Sequence, residues 1–99
     1  MEIITQFVRT NKNNAAKKLV NEKLELVTKH FDWVIRANVI FKENKGTYGK
    51  GKICEIILSC PGVLLFATSD NESFEVAIAE NIRDLEIQLH KRKSEMQSF

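Results

Sequence analysis

The sequence predicts one α+β domain, in which a four-stranded mixed sheet carries two helices on one of its faces. Two long segments place apolar residues at helical spacing, one near the start of the chain and one near its end. Between them lie β-rich runs separated by turns that contain glycine or proline, and another β-rich run opens the chain. The predicted element order is therefore β-α-β-β-β-α.

The first strand is predicted at residues 2–9, which are rich in isoleucine, valine, threonine and phenylalanine. A polar break ends this strand, and Asn13 or Asn14 is suited to cap the helix that follows. The helix is predicted to run to about Phe31. Its predicted buried stripe consists of Ala16, Val20, Leu24, Val27 and Phe31.

Charged residues occupy most of the remaining surface of that helix. Lys23 falls within the arc of the stripe, so we expect its aliphatic stem to pack while its ammonium reaches water. Lys18 stands four residues before Glu22, and Glu25 stands four residues before Lys29. These spacings stabilise a helix. The charges therefore have two interpretations, a solvated helix face or a surface that meets a polyanion.

Three more strands are predicted at residues 34–43, 52–60 and 63–68, with a turn at Pro61 and Gly62 between the last two. One side of the first of these strands is predicted to be buried, and it carries Ile35, Ala37, Val39 and Phe41. The strand that opens the chain should pair parallel to a neighbour, because a helical crossover connects them. The two later hairpins should be antiparallel.

A glycine-rich loop is predicted at residues 44–51, between the second and third strands. It places Tyr48 among Lys45, Lys50 and Lys52. An aromatic ring flanked by lysines is suited to stack on a base while the cations meet phosphates. Loops of this composition are also often simply solvated and bind nothing. The loop therefore has two interpretations, a solvated loop or an RNA contact.

The last helix is predicted at residues 73–93. Ser69, Asp70 or Asn71 is predicted as its N-cap, and the spacing from Ser69 to Glu72 fits a capping box. Its predicted buried stripe consists of Phe74, Ile78, Ile82, Leu85 and Leu89.

Two features of the last helix depart from a simple amphipathic pattern. Asn81 and Gln88 lie close to the centre of the stripe, and we expect them to lie at its edge or to bond to the backbone of the sheet. On the opposite side Val76 and Ile87 project next to Arg83, which is a weak indication of a contact surface.

The chain of 99 residues is long enough for one domain with its own core. We expect residues 1–95 to form that domain and residues 96–99 to form a short tail. The longest apolar runs are too short to span a membrane, and the N-terminal segment lacks the apolar core of a signal peptide. We therefore expect a cytoplasmic protein without membrane contact.

The residues that could carry chemistry form no recognisable catalytic or metal-binding set. Cys54 and Cys60 lie about 20 Å apart along one predicted strand, too far apart to form a disulfide. Only His30 and His90 could add nitrogen ligands, and their spacing fits no zinc motif. No serine, histidine and acid combine into a catalytic set. We therefore expect a binding protein that uses no metal, cofactor or small-molecule substrate and is not an enzyme.

The net charge of +2 conceals a strong asymmetry along the chain. Residues 1–53 contain eleven Lys and Arg against five Asp and Glu, whereas residues 54–90 contain one Arg against seven acids. The last nine residues add three basic residues and one acid. One side of the protein is therefore expected to face a polyanion.

Short blocks of sequence occur in the order found in a known family, over nearly the full length of the chain. The blocks are Asn21-Glu22-Lys23-Leu24, Lys29-His30-Phe31-Asp32, Val34-Ile35-Arg36-Ala37-Asn38-Val39, Pro61-Gly62, Leu65-Phe66-Ala67, Ala77-Ile78 and Leu85-Glu86-x-Gln88-Leu89-x-Lys91-x-Lys93. With these blocks the chain resembles the ribosome hibernation-promoting factor and protein Y family, also called sigma-54 modulation proteins, in its short form.

This resemblance implies a fold like that of double-stranded-RNA-binding domains, extended by an extra N-terminal strand. It also implies a protein that binds rRNA of the small ribosomal subunit, where mRNA and the A- and P-site tRNAs would sit, and that silences idle ribosomes under stress. We expect a monomer off the ribosome. The candidate RNA-binding residues are Lys17, Lys23, Lys29, Lys45, Tyr48, Lys50, Arg83, Lys91 and Lys93.

The basic stripe is thinner than the family pattern implies. Asp84 and Ile87 stand where the last helix of the family often carries Lys and Arg, and Leu26 and Thr68 each replace a frequent Lys. Two other functions fit the same sequence. One is an RNA-binding module with a non-ribosomal target, and the other is a protein–protein adaptor that uses the outer face of the last helix and the open face of the sheet.

Overall fold

The computed structural model describes residues 1–46 and 48–97, and its elements follow the predicted order. They are β1 (Glu2–Val8), α1 (Asn14–Val27), β2 (Arg36–Glu43), β3 (Lys52–Cys60), β4 (Val63–Asn71) and α2 (Phe74–Met96). The strands lie side by side in chain order. β1 pairs parallel with β2, whereas β2–β3 and β3–β4 are antiparallel, which confirms the predicted mixed sheet.

The two faces of the sheet have different environments because successive side chains of a strand point to opposite sides. On one face the central strands bury Ala37, Val39, Phe41, Cys54, Ile56 and Leu58, which join the apolar stripes of both helices in a single core. The other face is largely exposed, as predicted. It presents Ile4, Leu64 and Phe66, of which Leu64 is 67% exposed.

Polar side chains of α2 help to fix the helix on the sheet. Asn81 is 1% exposed, and its Nδ2 donates to the carbonyl of Cys54 at 2.7 Å. The Asn81 Oδ1 accepts from the Ser69 hydroxyl at 2.7 Å. Farther along, Gln88 Nε2 donates to the carbonyl of Phe66 at 2.9 Å. The prediction that Asn81 and Gln88 bond to the sheet is confirmed, and both strands beneath α2 are engaged.

The predicted N-cap of α2 is wrong, because β4 extends to Asn71. The cap is Ser73, whose side chain accepts from the backbone N–H of Val76 at 3.2 Å. Ser69 lies within β4 and bonds to α2 through its hydroxyl, and Asp70 accepts a backbone N–H at the end of the sheet. The polar run resembled a cap because side chains that cap helices also serve at strand ends.

Two expectations for the first half of the chain also need correction. α1 ends at Val27, where the N–H and the hydroxyl of Thr28 both bond to the carbonyl of Leu24. Phe31 is nevertheless buried. Ile35 precedes β2 and is 57% exposed, whereas its neighbour Val34 is 5% exposed and joins the core in its place. Lys23 is exposed, in agreement with the expectation that its ammonium reaches water.

Leu85→Ala should lower the free energy of unfolding by about 2–5 kcal/mol, because it leaves a cavity at a fully buried position on the side of α2 that faces the sheet. Urea denaturation followed by circular dichroism measures this loss. Leu26→Ala is the matched control, because Leu26 is 66% exposed and the same truncation should cost about 0.5 kcal/mol or less. Equal losses for the two variants would mean that the stripe of α2 does not face a core.

Candidate nucleic-acid interface

The apolar stripe of α1 determines which lysines of this helix face solvent. Asn13 caps the helix by accepting the N–H of Ala16 at 3.0 Å, and the stripe turns the opposite side outward. Lys17, Lys18 and Lys23 are all exposed. The helix therefore presents Lys17 on one flank of its buried stripe and Lys23 on the other, while Lys18 shares the outward side with Glu22 and Glu25.

The loop between β2 and β3 is held at its base by backbone geometry. Gly51 adopts a φ of +119°, and a Cβ at this position would lie 2.6 Å from the carbonyl oxygen of Asn44. Its N–H donates to Asp70 Oδ1 at 2.7 Å. Above this base Lys45, Tyr48 and Lys50 are exposed, and the Tyr48 side chain is fully accessible. The loop thus presents two cations and an unpacked aromatic ring.

Arg9 lies beside the loop lysines, although no sequence pattern indicated that it would. Parallel pairing of β1 with β2 sets Val8 opposite Lys42, so the chain after β1 reaches the edge of the loop. There Arg9 adopts a left-handed φ of 56° and lines an open groove together with Lys42 and Lys45. No local pattern marks this proximity, because Arg9 and Lys45 are distant in the chain and meet only through the register of the sheet.

The lysines predicted at the end of α2 do not form one group. Residues two positions apart on a helix differ by about 200° around its axis. Lys91 lies on the side of β4, whereas Lys93 is half-buried, with its Nζ 5.7 Å from the ring centroid of Phe31. Lys29 is exposed just beyond α1, at the same end of the molecule. Arg83 is exposed on the outer face of α2.

The candidate residues therefore lie along the length of the molecule rather than in one compact patch. The β2–β3 loop lies at the end of the sheet where both helices begin, and Lys29 lies where α1 has ended. The molecule measures 49 Å along its longest axis. A ligand that contacts both the cations of the loop and Lys29 must itself span much of this length, as a large folded RNA does.

Ion pairing separates the cations of the sheet from those of α1 and the loop. Within residues 1–46 and 48–97 the ion pairs are confined to strands. They are Arg36–Glu2 at 2.8 Å, Lys42–Glu55 at 3.1 Å, and Lys52–Glu43. Lys17, Lys23, Lys29, Lys45 and Lys50 have no carboxylate oxygen within 4.0 Å. Their charge is therefore free to act on an external anion.

The helical spacings of opposite charge do not produce ion pairs in α1. Neither Lys18 with Glu22 nor Glu25 with Lys29 approaches within 4.0 Å among the described side chains. The favourable spacings therefore leave these lysines close to an acid of the same chain segment but without a direct ion pair. Exposed pairs of this kind gain little, since holding two long side chains together costs conformational entropy.

The two thiols of the chain are buried in the core. Cys54 and Cys60 are both free, and burial raises the pKa of Cys54 to about 12, so its thiol stays protonated at neutral pH. Within the described residues no group of three His, Cys, Asp or Glu is arranged to hold a metal ion. Over the same residues, no helix has both the length and the apolar character needed to cross a membrane.

Comparison with known proteins gives a family match and similar solved structures, two of which are described below. A family model described as sigma 54 modulation protein / S30EA ribosomal protein matches residues 3–97. A ribosomal subunit interface protein from Coxiella burnetii is similar in structure, with a TM-score of 0.84 and 24% sequence identity, over 95% of this chain and 99% of that chain.

The N-terminal domain of Protein Y from Thermus thermophilus is similar with a TM-score of 0.78 and 22% identity, over 92% of this chain and 98% of that one. At these identities the likeness establishes the fold. No curated protein matches the sequence significantly.

Gly51→Ala should lower the free energy of unfolding by about 1 kcal/mol or more, because alanine at this φ is strained and its Cβ meets the Asn44 carbonyl. Thermal denaturation measures the loss. Gly46→Ala is the control, because Gly46 also has a positive φ, of +99°, but no atom within 4 Å of the added Cβ. If both variants lose the same stability, the close approach at the loop base has no structural role.

Proposed function

Because this chain belongs to the sigma 54 modulation protein / S30EA ribosomal protein family, we propose that it binds the small ribosomal subunit and keeps idle ribosomes inactive. It occupies the decoding region, where mRNA and the A- and P-site tRNAs would otherwise bind. The family match and the likeness to a ribosomal subunit interface protein support a ribosomal target. The protein acts by occupying this site rather than by catalysis.

The observation that carries this proposal is the distribution of unpaired cations. The lysines of α1 and of the β2–β3 loop have no internal carboxylate partner, whereas the cations of the strands do. A cation without an internal partner loses no ion pair when it meets a phosphate, and it releases counterions from the RNA. These lysines are therefore suited to bind a polyanion.

The candidate residues take different roles in this proposal. Lys17 and Lys23 on α1 contact rRNA phosphates from a rigid helix, which fixes the orientation of the protein. In the loop, Lys45 and Lys50 contact phosphates while the accessible ring of Tyr48 stacks on an unpaired base. Of the remaining candidates, the exposed Lys29 and Lys91 extend the contact toward the far end of the molecule. Arg83 and Lys93 contribute less, because Arg83 stands among the carboxylates of α2 and Lys93 is half-buried against Phe31.

The purified protein should sediment with small ribosomal subunits at low salt, and tRNA or mRNA should compete with it. Binding should weaken steeply as salt rises, with a slope in log K against log salt of about −0.7 to −0.9 for each phosphate contacted. Sucrose-gradient centrifugation at several potassium chloride concentrations measures both effects. Protein that stays at the top of the gradient at low salt would rule out a ribosomal target.

Two double variants with equal charge change test whether a placed surface binds the subunit. Lys17→Gln with Lys23→Gln removes unpaired cations of α1, and should weaken binding and make the salt slope shallower by about 2. Arg36→Gln with Lys42→Gln removes the same charge from paired positions of the sheet. This control should bind nearly as the unaltered protein does.

Both double variants must first show the melting temperature of the unaltered protein. The exposed pair Arg36–Glu2 contributes about 1 kcal/mol or less. The pair Lys42–Glu55 is half-buried, so the melting temperature of the control is the measurement that shows whether its loss is tolerated. Equal losses of binding in the two double variants would show that net charge, rather than the placed lysines of α1, drives the association.

A further inference from the structure

The outer face of α2 carries exposed apolar side chains that no part of the chain covers among the described residues. Val76 is 44% exposed and Ile87 is 65% exposed. With the exposed Ala79 they form what we call the outer strip of α2, about three helical turns long. At its N-terminal part lies an open groove of about 410 Å³, lined by Glu75, Val76, Ala79, Glu80 and Arg83. Val76 and Ala79 share this groove, and Ile87 lies one turn beyond Arg83 on the same side of the helix.

Carboxylates surround this strip. From Glu72 to Ile87 the chain carries five acids and one base, Arg83, which gives this part of the molecule a charge of −4. No ion pair neutralises these acids among the described residues. Glu80 accepts a hydrogen bond from the amide of Asn71, and Asp84 accepts one from Gln88, but amides leave the charge in place.

The charge of this face is opposite to that of α1. α1 presents lysines without ion-pair partners, whereas Glu75 and Glu86 on α2 are exposed acids beside apolar residues. Carboxylates repel phosphates, so an RNA laid on the outer strip would lose the attraction it gains on α1. The outer strip is therefore suited to a cationic ligand that also has apolar side chains.

We propose that the outer strip of α2 binds a basic amphipathic segment of another polypeptide. Leucine-like side chains of that segment pack on Val76, Ala79 and Ile87, while its arginines or lysines meet the surrounding carboxylates. A helical segment fits because its apolar residues recur at the spacing of the strip. The protein then has two surfaces of opposite charge, and this second surface does not depend on binding to the ribosome.

The probe for this proposal is a fluorescent helix-forming peptide with leucines on one face and arginines on the other. Fluorescence anisotropy with the full chain measures its Kd. Ile87→Gln and Glu86→Gln should each raise the Kd, the first by roughly fivefold, because they remove an apolar contact and a carboxylate. The matched controls lie on α1. Leu26→Gln removes an equally exposed apolar residue, since Leu26 is 66% exposed, and Glu25→Gln removes an exposed acid.

The proposal requires that both α2 variants weaken binding while both α1 controls leave it unchanged. It also requires that a peptide of the same composition in scrambled order binds more weakly. Equal losses in all four variants, or no measurable binding by the unaltered chain, would overturn it. Sedimentation equilibrium of the chain alone adds a further test, since self-association abolished by Ile87→Gln would make a second copy the occupant. A negative result with the peptide does not change whether the protein sediments with ribosomes. The peptide-binding proposal and the ribosome-binding proposal can therefore be rejected independently.

Discussion

Everything in this domain depends on the burial of one face of a four-stranded sheet beneath two helices. The parallel pairing of β1 with β2 needs a crossover, and α1 supplies it on the same face that α2 covers. At one end of the core Phe41 contacts Phe7 of β1 and Phe74 of α2, with ring centroids 5.3 Å and 5.1 Å away. Because this packing fixes how each helix is rotated, it also decides which charged side chains reach solvent. The candidate interface is thus a consequence of the core.

Most of the fold was predictable because it depends on periodic patterns. β3 and the two helical stripes follow from the spacing of apolar residues, and a single buried face leaves few arrangements of the elements. The wrong predictions concern the ends of helices and strands, where the same polar residues can cap a helix or bond at the end of a strand. Ser69 and Asp70 resemble helix caps, yet β4 continues past Ser69 and Asp70. The Ser69 hydroxyl donates to Asn81 of α2, and Asp70 accepts the backbone N–H of Gly51. Only the register of the completed sheet decides between these uses, and the register is not a local property.

The exposure of most candidate lysines was predictable, whereas the partial burial of Lys93 and the pattern of ion pairs were not. Arg36 stands opposite Glu2, and Lys52 stands opposite Glu43, so the ion pairs of the strands follow from the register. The helical spacing of Lys18 and Glu22 suggested a pair that does not form. Arg9 joined the loop cations only through the parallel pairing of β1 and β2. The sequence shows which residues are charged, whereas the tertiary structure decides which of them remain unpaired and able to bind a ligand.

The charge asymmetry along the chain becomes a spatial asymmetry because of the topology. α1 and α2 run in the same direction on one face of the sheet and contact each other. α1, with three lysines against two glutamates, therefore lies beside a helix whose residues 74–87 carry four acids and one arginine. A polyanion that approaches this layer is attracted on the side of α1 and repelled on the side of Glu75 and Glu86. The field therefore favours one orientation before any close contact forms. The apolar residues of the outer strip lie on the repelled side, where a nucleic acid would leave them exposed and another polypeptide could reach them.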